Sequence, residues 1–458
     1  MQLDKIDSVY FIGIGGIGMS AIARWFKQRG KRVAGYDRVK TPLTQGLEDE
    51  GIWIHYEDKV RAIPDTFKEK DWSLIVYTPA VPEEHGELEY FKRKGFEVKK
   101  RAEVLGIISK GHYCVAIGGT HGKTTTSSML AHILHHSEKG CSAFIGGIMT
   151  NYNSNLIIGK EDAPVVVEAD EYDRSFHRLS PNHAIVTSVD ADHLDIYGDE
   201  ATMQEAFGKF LQLVPEEGHI LIHYKAAEKI SLHLENLYYT YGIDQGDYQA
   251  KALRTIGGVF YFNFHGRKTI KDIALYVPGF HNVENAVAAI SAAVQLDIPV
   301  ETIREAIRSY RGVKRRFEFI IRRDDLVYID DYAHHPAEIT AFLRSVKSMW
   351  PSKKITVVFQ PHLFSRTNDF HMGFAESLDL ADEIILLDIY PARELPMPGV
   401  TSQMILDKMY TPKRMICSKE ELMAELDERD LDILVTLGAG DIDQLVPVIA
   451  NHFKKAES

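Results

Sequence analysis

The sequence predicts an α/β protein with three domains, each built around a largely parallel β-sheet. Length is the first observation, because 458 residues correspond to about three domains of roughly 150 residues each. The second is the alternation of short apolar runs with longer amphipathic ones, which is typical of strand–helix units around parallel sheets. The third is that two of the apolar runs lead into glycine-rich loops, as strands do where a strand–helix turn binds phosphate.

Nine short apolar runs predict buried strands, three in each domain. A tenth region, residues 217–276, has a weaker pattern that predicts additional short strands. The nine predicted strands are Val9–Ile14, Arg32–Gly35, Ser73–Tyr77, Cys114–Ile117, Val165–Glu168, Ala184–Ser188, Ile355–Phe359, Glu383–Leu387 and Ile433–Leu437.

Two breaks in this pattern predict domains at residues 1–108, 109–312 and 313–458. The first break follows the basic stretch Lys92–Arg101, which we expect to be a solvated face rather than a ligand site. The second break lies near Gly312, where a helical pattern ends.

Composition excludes several classes of protein. Hydrophobic residues make up 45% and charged residues 26% of the chain, which is the balance of an ordinary globular protein. The formal net charge of −12 argues against general binding to nucleic acid or anionic membranes. No segment has the roughly 18 continuous apolar residues that a membrane helix needs, and glycines interrupt the apolar stretch Val9–Met19, unlike a signal peptide. We therefore expect a cytoplasmic protein without membrane insertion.

Three widely spaced cysteines match neither a disulfide framework nor a metal-binding CxxC pair. They are Cys114, Cys141 and Cys417. A reducing compartment is the simplest inference.

The first glycine-rich loop follows the first predicted strand and matches the G-x-G-x-x-G pattern. Its glycines are Gly13, Gly15, Gly16 and Gly18. Asp37 follows 19 positions after Gly18, at the end of the next predicted strand. Such glycines let backbone N–H groups approach a diphosphate at a helix N-terminus, and the acid can accept hydrogen bonds from ribose hydroxyls. The pattern fits NAD, but a nucleotide-sugar also contains a diphosphate and a ribose.

The second glycine-rich loop lies between a predicted buried strand and a predicted helix. It consists of Gly118, Gly119, Thr120, His121, Gly122, Lys123, Thr124 and Thr125. Backbone amides can surround phosphate oxygens, Lys123 can place its charge on the β- and γ-phosphates, and the Thr124 hydroxyl can bind Mg²⁺. The loop is shorter than the common G-x-x-x-x-G-K-[ST] form, because Ile117 stands where the first glycine would be.

Acidic residues at the ends of two neighbouring predicted strands offer metal ligands. Either Glu168 or Asp170 can supply the carboxylate that a P-loop Mg²⁺ usually needs. After the next strand, His193 lies among Asp190, Asp192 and Asp195, and this cluster is a possible second metal position.

In their order along the chain, six motifs resemble those of the Mur ligase family, whose ATP-dependent enzymes build the peptidoglycan stem peptide. The resemblance covers nearly the whole chain. The motifs are Gly119–Thr124, Glu168–Asp173, Asp192–Asp195, Gly279–Asn285, Val313–Glu318 and Asp330–Pro336.

The resemblance implies a Rossmann-like N-terminal domain that binds the UDP-sugar and a central P-loop ATPase-type domain that binds ATP. It also implies a Rossmann-like C-terminal domain that contributes to amino-acid and ATP binding. Three features, Phe11–Met19, Asp330–Pro336 and Phe359–Thr367, are most like those of the member that joins L-alanine to the carboxylate of UDP-N-acetylmuramate through an acyl phosphate. The implied partners are ATP, UDP-N-acetylmuramate and L-alanine, with Mg²⁺ at two sites; the sequence leaves the oligomeric state open.

The same resemblance implies roles for individual residues. Lys123, His193, Arg316, Asp331 and His334 are the implied catalytic residues. Thr124, Glu168 and His193 are the implied metal ligands. ATP is implied to contact Gly119–Thr125, His281, Asn285 and Arg316. The UDP-sugar is implied to contact Gly13, Gly15, Gly16, Gly18 and Asp37, and alanine to contact Tyr332, His334 and Arg366.

Three details qualify these assignments. Leu363 stands where the family often has an arginine after the His362 position, so Arg366 is expected to bind the amino-acid carboxylate alone. His334 has a suitable unperturbed pKa for a general base, about 6.5, but we favour a positioning role. Lys209 lies near the position of a lysine that is carbamylated in some members, and no such modification is assigned to it.

The sequence alone leaves three alternative functions open. The closest is a recycling ligase that attaches a preformed tripeptide to the same sugar-nucleotide, although the run Gln360–His362 favours alanine. A more distant alternative is an NAD-dependent dehydrogenase, which leaves the Gly122–Thr124 loop unexplained. A third is a nucleotide-gated sensor without chemistry.

Overall fold

The computed structural model describes residues 3–190, 194–230, 237–392 and 394–455. The chain divides into two compact units. The first comprises Met1–Ala252, Phe262–Ile273 and Glu284–Tyr310, and the second comprises Leu253–Tyr261, Ala274–Val283 and Arg311–Ser458.

A five-stranded parallel sheet forms the N-terminal part of the first unit. Its strands are β1 (Ser8–Ile12), β2 (Arg32–Tyr36), β3 (Trp53–His55), β4 (Ser73–Tyr77) and β5 (Glu97–Lys100), and its helices are α1 (Ile17–Gln28), α2 (Pro42–Asp49), α3 (Gly86–Lys94) and α4 (Arg101–Lys110). The strand order is β3-β2-β1-β4-β5, so β1 is central and all five of its residues are buried. A parallel strand covered on both faces is apolar throughout, which is why the sequence pattern predicted it.

A ten-stranded sheet follows in the chain. Its strands are β6 (Cys114–Gly118), β7 (Ser142–Met149), β8 (Ser154–Ile157), β9 (Val165–Ala169), β10 (His183–Val186), β11 (His219–His223), β12 (Tyr238–Ile243), β13 (Tyr248–Ile256), β14 (Val259–His265) and β15 (Thr269–Leu275). The helices of this region are α5 (Lys123–His135), α6 (Leu194–Tyr197), α7 (Glu200–Leu211), α8 (Tyr224–Lys229), α9 (Phe280–Gln295) and α10 (Val300–Ser309). The strand order is β15-β14-β13-β12-β11-β10-β6-β9-β7-β8, with β6 between β9 and β10.

A six-stranded sheet forms the core of the second unit. Its strands are β16 (Glu318–Arg322), β17 (Val327–Asp331), β18 (Ile355–Phe359), β19 (Glu383–Leu386), β20 (Lys413–Ile416) and β21 (Ile433–Leu437), in the order β16-β17-β21-β18-β19-β20. Its helices are α11 (Pro336–Met349), α12 (Phe364–Leu378), α13 (Gln403–Leu406), α14 (Leu422–Asp427) and α15 (Leu445–Lys455). Among the described strand pairs of this sheet, β16 and β17 are antiparallel and the others are parallel.

The predicted α/β fold with three sheets is confirmed, and all nine predicted strands are present. The weak pattern of residues 217–276 corresponds to β11–β15. The individual boundaries at 108/109 and 312/313 stay predictions. Strands β1 and β6 lie between parallel neighbours, and β17 runs parallel to β21. The loops that follow these three strands therefore lie at the carboxyl edges of their sheets, where α/β proteins bind ligands.

No helix in the described ranges is long and apolar enough to cross a membrane. The three cysteines are buried and free, and burial raises the pKa of the Cys114 and Cys141 thiols to about 12. Neither of these two thiols is ionised near neutral pH, which makes them unreactive core residues.

Candidate active site

The glycine-rich loop between β6 and α5 packs tightly against the end of β10. Gly119 has φ +138°, and a Cβ there would clash with the Thr187 side chain and lie 2.9 Å from the backbone nitrogen of Ser188. Gly122 has φ +82°, and a Cβ there would lie 2.6 Å from Oδ1 of Asn285. Both glycines are therefore required by conformation and by close approach, and the loop leads directly into the N-terminus of α5.

Lys123, the first residue of α5, is held by a buried carboxylate that the sequence analysis did not identify. Its Nζ lies 2.8 Å from each carboxylate oxygen of Glu171, whose side chain is 2% exposed, and it also donates to the Gly119 carbonyl. Burial alone would lower the pKa of Lys123, but the charge of Glu171 outweighs it and raises this pKa. The lysine is thus a fixed positive charge beside the loop.

Glu168 and Asp170, left as alternatives by the sequence, have different surroundings. Glu168 accepts hydrogen bonds from the hydroxyls of Thr124 (3.1 Å) and Ser127 (3.2 Å) and from the Gly146 N–H. Asp170 instead accepts from Arg101 at 2.8 Å. Thr124 and Glu168 together present the hard oxygen donors that Mg²⁺ prefers, so the geometry favours Glu168 as the carboxylate of that site.

Two polar residues at the end of β10, missed in the sequence, support the rest of the loop. The Ser188 hydroxyl accepts from the His121 N–H at 2.8 Å and lies 2.9 Å from the Thr120 hydroxyl. The Thr187 hydroxyl donates to the Gly118 carbonyl at 3.2 Å. Their position at the carboxyl end of the strand next to β6 is the signal that could have identified them.

Asn285, predicted to contact ATP, lies beside the start of α5. It is buried, and its Oδ1 accepts a hydrogen bond from the Thr126 hydroxyl at 3.1 Å. The structure therefore brings Asn285 to the P-loop. His281 belongs to the second unit, where its ring lies 2.6 Å from the position of a Cβ on Gly279.

The other glycine-rich loop, between β1 and α1, is hydrogen-bonded to the acidic residue that the sequence predicted beside it. Asp37 accepts a hydrogen bond from the Gly15 N–H at 2.7 Å. A Cβ on Gly15 would lie 2.6 Å from the Thr44 side chain, and one on Gly13, at φ +86°, would lie 2.6 Å from Thr78. Gly16 is the N-cap of α1 and provides no side-chain cap, so the first turn of this helix has N–H groups available for an anion.

The second unit brings together its predicted residues around the end of β17. Both oxygens of buried Asp331 accept backbone N–H groups, from Phe317 at 2.6 Å and from Ala333 at 2.8 Å. Arg315 and Phe317 have φ of +61° and +50°, a costly conformation for residues with side chains. Asp331 therefore stabilises a strained loop. Arg316, which lies between Arg315 and Phe317, has its guanidinium 4.9 Å from the centre of the Tyr332 ring.

His334 is placed and polarised by its neighbours. Its Nδ1 lies 3.0 Å from the Tyr332 carbonyl, so this nitrogen carries the proton and donates. Burial lowers the pKa of His334 well below its usual value; Glu338 opposes this shift and Arg366 adds to it. A ring with that pKa is neutral at pH 7 and a weak base for an ammonium group, which supports positioning rather than general base catalysis.

Leu363, in place of the arginine common in the family, is the N-cap of α12 with φ +70°. Lys209 is exposed and pairs with Glu205 at 2.7 Å. His193 and Asp192, the predicted second metal position, lie outside the described residues. Among those described, no group of three or more His, Cys, Asp or Glu side chains has the arrangement of a metal site.

The buried carboxyl of Asp331 predicts a specific pH dependence of stability. Burial raises its pKa to about 7, against about 3.9 when unfolded, so between these values the folded state holds the extra proton and this residue's contribution to stability falls as pH rises. In Asp331→Asn this contribution is absent. The free energy of unfolding of the variant minus that of the wild type should therefore increase from pH 4 to pH 7, as measured by urea unfolding at intervals of pH.

The subtraction is needed because other groups titrate in the same range. Burial lowers the pKa values of His334 and His362, so these groups make the folded state more stable as pH rises. Both histidines are present in the variant and in the wild type. A difference that does not change with pH would contradict the raised pKa of Asp331.

Three family models match consecutive parts of the chain. They are the Mur ligase family catalytic domain over residues 8–113, the Mur ligase middle domain over 117–293 and the Mur ligase glutamate ligase domain over 315–440.

Known proteins that are similar to this chain match it over nearly its full length. The UDP-N-acetylmuramate–L-alanine ligase of Flavobacterium johnsoniae is 50% identical over 98% of each chain, and that of Phocaeicola vulgatus is 46% identical over 99% of this chain and 100% of its own. Among solved structures, the UDP-N-acetylmuramate-alanine ligase of Thermotoga maritima has a TM-score of 0.83 at 29% identity and covers 98% of this chain and 100% of that one. From these matches, the chain belongs to the Mur ligase family.

Proposed function

We propose that this chain is an ATP-dependent ligase that joins L-alanine to the carboxylate of UDP-N-acetylmuramate in the synthesis of peptidoglycan precursors. The observation that carries the proposal is the presence of two separate glycine-rich strand–helix loops in one compact unit, after β1 and after β6. Each loop can bind the phosphates of a different nucleotide. The full-length likeness to alanine ligases supports these particular substrates, whereas a dehydrogenase leaves the loop after β6 without a role.

Chemically, the carboxylate must first be activated, because its oxygen is a poor leaving group. The carboxylate oxygen attacks the γ-phosphorus of ATP, and the bond from this phosphorus to the bridging oxygen breaks. ADP departs, and the substrate becomes an acyl phosphate. The alanine nitrogen then attacks the acyl carbon, phosphate leaves, and the amine proton passes to solvent or a carboxylate. Lys123 supplies a fixed positive charge where two anions must meet, and we propose from the likeness of the motifs that Arg316 and Asp331 act at the γ-phosphate.

Thr124 and Glu168 are the residues that would hold Mg²⁺. The Thr124 hydroxyl lies 3.1 Å from a carboxylate oxygen of Glu168 beside the loop. The positively charged Lys123 directly precedes Thr124 in the sequence. When bound, the metal ion would supply further positive charge to the phosphates. We also propose His193 as the ligand of a second metal ion.

In the second unit, Tyr332, His334 and Arg366 are proposed to bind alanine. With its Nδ1 proton donated to the Tyr332 carbonyl, His334 has a fixed orientation. Arg366, on the first turn of α12, provides the positive charge for the amino-acid carboxylate.

Phosphate release tests the proposal directly. The protein is incubated with ATP, Mg²⁺, UDP-N-acetylmuramate and L-alanine, and then with each component omitted in turn. We expect release only with all four, together with a product heavier than the sugar-nucleotide by one alanine residue. Release that does not depend on the amino acid, or none from folded protein, contradicts the proposal.

The same assay separates alanine addition from tripeptide recycling. Equal concentrations of L-alanine and the preformed stem tripeptide are supplied together, and the two products are separated by mass. Predominant tripeptide addition would assign the chain to the recycling reaction.

A further inference from the structure

Arg101, the first residue of α4, occupies a position that the sequence did not predict. The stretch Lys92–Arg101 was expected to be a solvated face, but it forms the end of α3, the strand β5 and the start of α4. The Arg101 side chain is only 25% exposed, and its Nη2 donates to Asp170 at 2.8 Å. Arg101 is therefore only partly solvated, because it pairs with an acid 69 positions away, whereas Lys92, Arg93, Lys94 and Lys100 are exposed as expected.

The other side of the same guanidinium lies against the first glycine-rich loop. Nη1 of Arg101 is 2.7 Å from the position that a Cβ on Gly18 would occupy, and Cζ is 3.4 Å from it. Gly18 belongs to the first turn of α1, where alanine would ordinarily be the better helix former. The glycine therefore makes room for the arginine.

A diphosphate on this loop would be bound more tightly by a positive charge, which the side chains of the loop itself lack. The predicted residues there are four glycines and Asp37, and the Asp37 carboxylate already accepts the Gly15 N–H. The chain as a whole has a formal net charge of −12, so no general field attracts an anion. Arg101 is a cation in contact with the loop, and guanidinium groups bind phosphates through paired hydrogen bonds.

We propose that Arg101 binds the diphosphate of the sugar-nucleotide through Nη1 while Nη2 keeps its hydrogen bond to Asp170. This inference rests on the proposed function, since it assigns a further residue to the same substrate. A guanidinium has five N–H donors, so it can bind both groups at once.

The arrangement also connects the two nucleotide loops. Asp170 precedes Glu171, which holds Lys123. A diphosphate held by Arg101 is therefore linked through two consecutive acids to the lysine of the second loop. Arg101 thus fixes the sugar-nucleotide relative to the residues that bind ATP.

Calorimetric titration with UDP-N-acetylmuramate, without ATP or metal, tests this role. Arg101→Ala should raise the Kd about 10- to 100-fold, the loss expected for charge-assisted hydrogen bonds, and Arg101→Lys should give an intermediate value. Gly18→Ala should also raise the Kd, although alanine favours the helix. Lys99→Ala is the matched control, because Lys99 belongs to the same basic stretch but pairs with Glu97.

Asp170→Asn separates binding from a purely structural ion pair. It removes the charge of the acid that holds Arg101 but leaves the guanidinium beside the loop, so the Kd should rise much less than in Arg101→Ala. Equal weakening by Arg101→Ala and Asp170→Asn would show that the pair is only structural and overturn the inference, as would an Arg101→Ala protein that binds like the wild type. If the folded wild type fails to bind the sugar-nucleotide, the proposed function itself fails.

Discussion

Replacement of Lys123 by methionine is expected to lower kcat for phosphate release by about 10²- to 10³-fold, the usual cost of losing one preorganised group that stabilises transition-state charge. Lys123 is the cation at the N-terminus of α5, and Glu171 holds its Nζ at 2.8 Å. The position of the charge is therefore fixed by the protein itself. Steady-state kinetics at saturating ATP, UDP-N-acetylmuramate and alanine measure the effect.

A loss of activity could also come from unfolding, because the variant leaves Glu171 buried without its cation. Breaking a buried ion pair from one side typically costs about 3–5 kcal/mol. The double variant Lys123→Met with Glu171→Gln removes both charges and should recover much of the free energy of unfolding. If it also recovers turnover, Lys123 acts through stability; we expect turnover to stay low.

The strands and the two glycine-rich loops could be predicted because the physics that forms them is local. Strands such as β1 and β6 are buried on both faces, so they appear in the sequence as uninterrupted apolar runs. A loop that turns directly into a helix needs glycines at fixed positions, and Gly119 and Gly122 have the positive φ values that such a turn requires. Sequence spacing alone therefore located both predicted nucleotide loops.

Partner choice was not predictable, because it depends on which distant segments meet. Glu168, Asp170 and Glu171 are neighbours in sequence, yet they contact Thr124, Arg101 and Lys123 respectively. The direction of each carboxylate is set by the end of β9 and the turn that follows, which a run of acids does not reveal. For the same reason Arg101 could not be distinguished from the exposed cations around it.

Gly119→Ala is expected to destabilise the first unit by about 3 kcal/mol or more and to abolish ATP binding. The glycine has φ +138°, which costs a side-chain-bearing residue about 1–3 kcal/mol. The Cβ of the alanine would lie 2.9 Å from the backbone nitrogen of Ser188 and 3.0 Å from that of Thr187. Overpacking of this kind costs a further ~1–3 kcal/mol. Backbone atoms cannot rotate away as a flexible side chain can, so the loop itself must move. Urea unfolding and nucleotide titration measure the two effects.

Gly140→Ala provides the matched comparison, because it shares the positive φ but not the crowding. Gly140 has φ +60°, and no atom lies within 4 Å of the position of its Cβ. Its cost should therefore be the backbone cost alone, about 1 kcal/mol, with ATP binding unchanged. Equal destabilisation by the two variants would mean that backbone conformation explains both and that the loop does not depend on its close contact with β10. A larger effect at Gly119 would locate the requirement in that contact, which fixes the loop amides in position for phosphate.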